Sequence, residues 1–208
     1  MIQGGKVLTK DYYGYKVIQL SDGRMAKLFR LKSYLSSALV WPYAKRFVRG
    51  ADVLKKNGIP TVHVIDLCRI PSIKRDMVLY HPLEGISLRE ALQNESDKTA
   101  LIEHFASFLA DLHAKGIYFR AIHFNNVIVT PEGRLGLIDI SDLHYSFFPL
   151  TVSKRVRNFK PILHYPEDRQ ILEEFSINEF LKQYIDSAGW SSIIKGEKMV
   201  RNVLASYF

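Results

Sequence analysis

An α+β fold in two lobes follows from three observations on this 208-residue chain. Short β-branched and aromatic runs broken by turn residues fill most of the first 80 positions. From about residue 87 onward, apolar residues recur at helical spacing instead. Between the two stretches lies His81-Pro82-Leu83-Glu84-Gly85, with the composition of a linker. Strands, one helix, more strands, a linker and then mostly helices is an α+β order.

Each element has its own signal. Lys6–Leu8, Tyr15–Leu20 and Met25–Phe29 read as strands, with Ser21-Asp22-Gly23-Arg24 as a tight hairpin turn. Leu35–Asn57 reads as helical, with Pro42 marking a start or kink and Asn57-Gly58 a stop before Pro60. Val62–Leu67 and Asp76–Tyr80 are the next strands, which makes five in roughly residues 5–80. Ser87-Leu88-Arg89-Glu90 is a capping box for a short helix. Asp97–Lys115 is a longer one ending at Gly116, and its Leu101, Phe105, Phe108, Leu109 and Leu112 mark a core face. Val127–Thr130 and Leu135–Ile138 flank the turn Pro131–Arg134 as a β-hairpin. From Glu167 to Phe208 the chain reads as mostly helical, broken near Gly189 and Gly196.

Composition narrows the class. With 47% hydrophobic and 24% charged residues the chain can bury a core without staples. Cys68 is the only cysteine, so no internal disulfide forms and a reducing compartment is expected. Neither a signal peptide nor a transmembrane run is legible, which sets the expectation of a cytoplasmic protein. The net charge is +8, and residues 1–50 hold ten Lys/Arg against Asp11 and Asp22 alone. That leaves nineteen of the 29 basic and nineteen of the 21 acidic residues for the rest, so the whole excess lies in the first quarter. Such a field attracts a nucleotide, an anionic glycolipid or an anionic membrane surface, where the protein would be peripheral; the alternative is a solvated basic face with no specific partner. Charge alone supports nucleic acid, and no nucleic-acid motif accompanies it.

The run LHAKGIYFRAIHFNNVIVTPEGRLGLIDISD, residues 112–142, resembles the catalytic loop and metal turn of the lipopolysaccharide core kinases, the Kdo/heptose kinase family. The stretch DYYGYKVIQLSDGRMAKLFRLKSYLSS, residues 11–37, is similar to small bacterial toluene tolerance proteins of the same protein-kinase-like superfamily. The likeness covers most of residues 10–145. It implies a single protein-kinase-like domain over 1–208, with a small β-rich N-lobe to about residue 82 and a compact, reduced helical C-lobe over 83–208. ATP and Mg²⁺ are the implied cofactors, and a sugar of a lipopolysaccharide-type glycolipid the implied acceptor. Asn126 and Asp139 stand thirteen residues apart, the spacing of the two metal ligands in kinase-fold enzymes. Lys27, on the third strand, corresponds to the lysine that contacts the nucleotide phosphates. His81 to Leu83 take the hinge position, so His81 and Leu83 join Lys27, Asn126 and Asp139 as nucleotide-binding candidates. Taken singly, a strand lysine, an asparagine before a strand and an aspartate in a turn are ordinary structural residues; their joint spacing points to a site.

Several family features are missing. The catalytic base position, five residues before Asn126, is Ala121, and the loop reads Phe119-Arg120-Ala121. The metal turn reads Asp139-Ile140-Ser141. No G-x-G-x-x-G lies ahead of the strands, and the helix expected to supply a glutamate for Lys27 has Asp52 as its only acid. Tyr165-Pro166-Glu167 is a weak echo of A-P-E. General base catalysis contributes on the order of 10²–10⁴-fold, so a chain without it is slowed more than silenced. His123 and Asp142 are the candidates to accept the proton instead. Two readings stand: a kinase-like protein with weak or lost phosphoryl transfer to a glycolipid sugar, or a pseudokinase that regulates or scaffolds in envelope or solvent-stress physiology.

Overall fold

The computed structural model describes residues 4–12, 14–30, 42–94 and 98–189. Mixed α and β structure with antiparallel strand pairs is what these residues form. The chain divides into two compact units, Met1–Glu84 with Leu137–Asp142, and Gly85–Gly136 with Leu143–Phe208. Among the described residues, no helix is long and apolar enough to cross a membrane.

In the first unit, β1 (Lys6–Asp11), β2 (Gly14–Gln19), β3 (Met25–Arg30), β4 (His63–Ile70) and β5 (Arg75–His81) form one sheet in the order β1-β2-β3-β5-β4. The Ser21–Arg24 turn closes the β2–β3 hairpin: the Leu20 N–H donates to the Arg24 carbonyl at 2.8 Å, and Asp22 accepts from the Arg24 N–H at 3.1 Å. Strand alternation then sorts the side chains between the two faces. Ile18, Ala26, Leu28 and Met77 cluster on one. Lys27, in register with Val17 and Val78, points to the other. Helix α1 (Tyr43–Lys56) buries Ala44, Phe47, Gly50, Ala51 and Leu54 at helical spacing. The Phe47 ring lies 5.8 Å from that of Phe29 and 5.4 Å from that of Tyr80. Pro42, expected as a start or kink, is the N-cap of α1, and the stop at Asn57 holds, where the Asn57 amide donates to the Val53 carbonyl at 2.8 Å. Positions 35–41 of that expected helix lie outside the described residues.

The segment Leu137–Asp142 is tied into this unit by its backbone. The Leu137 N–H donates to the Pro60 carbonyl at 2.9 Å, and its carbonyl accepts from the Thr61 hydroxyl at 2.7 Å. Next along, Ile140 lies against Gly50 so closely that a Cβ there would fall 2.8 Å from the Ile140 carbonyl oxygen.

The second unit holds β6 (Ile86–Ser87) and β8 (Val127–Val129), which share a small sheet with β9 (Leu135–Leu137), and the pair β7 (Ile117–Phe119) and β10 (Leu143–Tyr145). Its helices are α2 (Leu88–Asn94), α3 (Thr99–Ala114), α4 (Val152–His164), α5 (Pro166–Phe175) and α6 (Ile177–Ser187). Ser87 caps α2 as expected, accepting from the Glu90 N–H at 3.2 Å. On α3 the core face includes Ile102 rather than the half-buried Leu101. Phe105 packs edge-on to Phe124 at 5.3 Å, and Phe159 edge-on to Tyr184 at 5.0 Å.

Three elements differ from the sequence expectations. Strands β7 and β10 are three residues each, too short for a periodic signal. Helix α4 carries Pro161 and four Lys/Arg in thirteen positions, a composition that does not announce a helix. Of the expected helical tail, α5 and α6 are present and end before Gly189; residues 190–208, with the break near Gly196, lie outside the described residues.

Candidate functional site

Lys27 is a buried cation. Its side chain is 7% exposed, and its ammonium donates to Asp139 Oδ1 at 2.5 Å across 112 residues of sequence. The aromatic rings of Phe47 and Phe29 lie 5.3 and 5.7 Å from Nζ, within cation–π range. Burial pushes the Lys27 pKa below that of an ordinary lysine, against the pull of the Asp139 charge. Tyr80, nearby, is raised to about 12, first by burial and then by the same carboxylate. Asp139 differs from its partner: its side chain is 46% exposed.

The backbone at Asp139 is strained. Its φ is 53°, in the left-handed region that non-glycine residues seldom occupy. Such strain persists only where the surroundings enforce it. Here the Leu137 hydrogen bonds hold one side and the contact of Ile140 with Gly50 holds the other. Strand β3 and this turn therefore present one ammonium and one accessible carboxylate side by side.

Within the second unit, the loop after β7 has its own supports. The Asn126 side-chain amide donates to the Ala121 carbonyl at 2.8 Å, which turns its Oδ1 away from that bond. The buried Asp168 carboxylate accepts from the Phe124 N–H at 3.0 Å and pairs with Arg89 at 2.7 Å. Burial raises the Asp168 pKa, while Phe124 and Arg89 oppose the rise. Beneath the loop runs a buried polar chain. Asn158 donates to the Phe119 carbonyl at 2.7 Å, so its Oδ1 faces His113 Nε2 at 3.1 Å. Nε2 must then carry the proton, and Nδ1 accepts from the Tyr184 hydroxyl at 2.8 Å. Arg155 in turn bonds the Tyr184 oxygen and donates to the Leu150 carbonyl at 2.9 Å. Burial depresses His113 to about 3 and raises Tyr184 to about 12, so both are neutral at ordinary pH.

No protein-family model and no curated protein matches this sequence. The site must be read from its own chemistry.

Of the candidates named from sequence, Lys27 and Asp139 are in direct contact. His81 ends β5 with its ring stacked on His63 at 5.9 Å, and Leu83 follows, half-buried. Asp142 is half-buried at the end of the Leu137–Asp142 segment. Asn126 and His123 belong to the second unit, with the His123 ring 4.5 Å from that of Tyr165. Ala121 lies in the same loop and brings no acid. Among the described residues, no group of three or more His, Cys, Asp or Glu could hold a metal unaided. Mg²⁺ bound with nucleotide phosphates needs only one or two protein oxygens; the accessible Asp139 carboxylate of the first unit and, separately, the Asn126 Oδ1 of the second are each of that kind. Sequence reasoning missed Phe47, Tyr80, Asp168 and the His113 chain. No local pattern marks them, since their partners lie far away along the chain.

Proposed function

We propose that this chain is an ATP-binding protein of the protein-kinase-like kind, related to the lipopolysaccharide core sugar kinases, in which phosphoryl transfer to a glycolipid sugar is weak or lost. The Lys27–Asp139 ion pair carries the reading. It joins a strand lysine to a strained turn, at the two positions that the resemblance gives to phosphate and metal binding. A buried ammonium with only one half-exposed counter-charge gains from a polyanion, because the phosphates supply the charge that burial withholds from it. Asp139, released from the lysine, has a carboxylate to offer Mg²⁺, which would neutralise the phosphates when bound. The five strands and helix α1 described in the first unit have the make-up of a small lobe, and the second unit that of a reduced helical lobe. The basic stretch 1–50 suits an anionic glycolipid or the inner-membrane surface, with the protein itself cytoplasmic.

The pseudokinase reading is favoured by two observations. Ala121 supplies no base, and the α1 residue beside Lys27 is the ring of Phe47, where an acid would hold the lysine ready for phosphate. Turnover separates the two readings. Mg·ATP should raise the melting temperature of the wild-type protein and fail to do so in Asp139→Ala, while Asn126→Ala tests the second metal ligand. Unchanged Mg·ATP stabilisation in Asp139→Ala would overturn the nucleotide reading. ATP turnover with a lipopolysaccharide acceptor should rise in Ala121→Asp if the chain is a slowed kinase, by up to the roughly 10²–10⁴-fold a general base provides. It should stay at background if the chain is a pseudokinase.

A further inference from the structure

Helix α4 has two kinds of cation. Arg155 is buried and bonds the Leu150 carbonyl and the Tyr184 hydroxyl. Arg157, Lys160 and His164 stand at i, i+3 and i+7 on an exposed face of the same helix. That face borders an open cavity of about 570 Å³, lined also by Arg120 and Ala121 of the loop and by the rings of Tyr118 and Tyr165. No carboxylate lines it. Among the described residues, none of Arg120, Arg157 and Lys160 forms an ion pair. Like charges three apart on a helix repel, and α4 has no acid in its first turn to offset them. Local stability gives no reason for this arrangement; a ligand does.

We propose that this cavity binds a phosphomonoester of monosaccharide size. Its volume is that of a small-molecule site. Two guanidinium forks and an ammonium lining one cavity without a carboxylate match a doubly charged phosphate, with its several acceptor oxygens, better than a single carboxylate. The tyrosine rings offer flat walls for the body of a sugar. Ala121 now has a positive role: an aspartate there would put a negative charge in the wall and repel the anion. The inference stands on the second unit alone and needs neither nucleotide nor metal.

The test is calorimetric titration of the full chain with glucose 6-phosphate against glucose, and with phosphatidic acid vesicles against phosphatidylcholine. At least one of the two phosphate-bearing probes should bind while its uncharged or zwitterionic control does not, and the arm that binds identifies a soluble or a lipid source. The double variant Arg157→Ala/Lys160→Ala should weaken binding by on the order of 10-fold or more. Ala121→Asp should weaken it too. Removal of two exposed cations outside both the cavity and the basic stretch 1–50, Lys55→Ala/Lys56→Ala, should leave it within a few-fold of wild type. Both α4 side chains are exposed, so the melting temperature without ligand checks that the fold is kept. Failure of both phosphate probes to bind would overturn the proposal, as would loss of binding in the Lys55/Lys56 variant with the Arg157/Lys160 variant unaffected.

Discussion

Removing the two members of the Lys27–Asp139 pair should have unequal effects on folding stability. Asp139→Ala leaves the Lys27 ammonium buried with no counter-charge. For a fully buried pair such a loss costs about 3–5 kcal/mol. Asp139 is 46% exposed, however, so water already screens the pair, and the expected loss falls to about 1–2 kcal/mol. For a chain of this size that is a fall in melting temperature of about 2–4 °C per kcal/mol. Lys27→Met removes the desolvated charge and fills the same space against Phe29 and Phe47, while Asp139 keeps its water. Its stability should stay within about 1 kcal/mol of wild type or rise. The pH dependence provides a second check. The folded-state pKa of Lys27 lies below its ordinary 10.5, so between the two values the unfolded chain holds more protons and stability rises with pH. Asp139→Ala depresses the folded pKa further, so its deficit against wild type should be largest near neutrality and shrink as pH approaches 10. Urea denaturation of the three proteins at pH 7 and pH 9.5 measures both effects. An Asp139→Ala protein as stable as wild type, or a deficit that grows with pH, would refute the reasoning.

Two further outcomes are expected. His113, depressed from 6.5 to about 3 by burial, stays neutral in the folded state while the unfolded chain takes up a proton. Stability should therefore fall as pH drops from 6.5 toward 3, by a total approaching about 5 kcal/mol at 1.36 kcal/mol per pKa unit; a His113 ring signal titrating near 6.5 in NMR spectra of the folded protein would refute this. Gly50→Ala gains helix propensity but thrusts a methyl to within 2.8 Å of the Ile140 carbonyl oxygen. Overpacking of this kind costs about 1–3 kcal/mol, so net destabilisation with weaker Mg·ATP stabilisation is expected, and a variant of equal or greater stability in urea would show that Ile140 moves freely.

The sequence was most informative where local patterns and spacing carry the signal. The five strands, the Ser21–Arg24 turn, the Ser87 cap and the ends of α1 all depend on neighbours within a few positions, and all are legible. Lys27 and Asp139 were named by the spacing of a resemblance, and their contact follows from strand alternation at one end and a strained turn at the other. Helix α4 was illegible because Pro161 and its cations mask a periodic buried face of Val156, Phe159, Ile162 and Leu163. With α4 unseen, the cavity beside Arg120 had no second wall. The polar chain through His113 was equally hidden, since Asn158 and Tyr184 reach it from 45 and 71 residues away.

The hydrogen bond from Asn126 to Ala121 ends on a main-chain carbonyl, an atom every amino acid possesses. The shape of that loop is thus indifferent to the identity of residue 121, whose side chain is free to vary while Asn126, Phe124 and Asp168 keep their places. A lineage could have traded an acid for a methyl at this position, or could trade it back, in one step and without rebuilding the scaffold. An exchange at this one position would leave little trace in the fold.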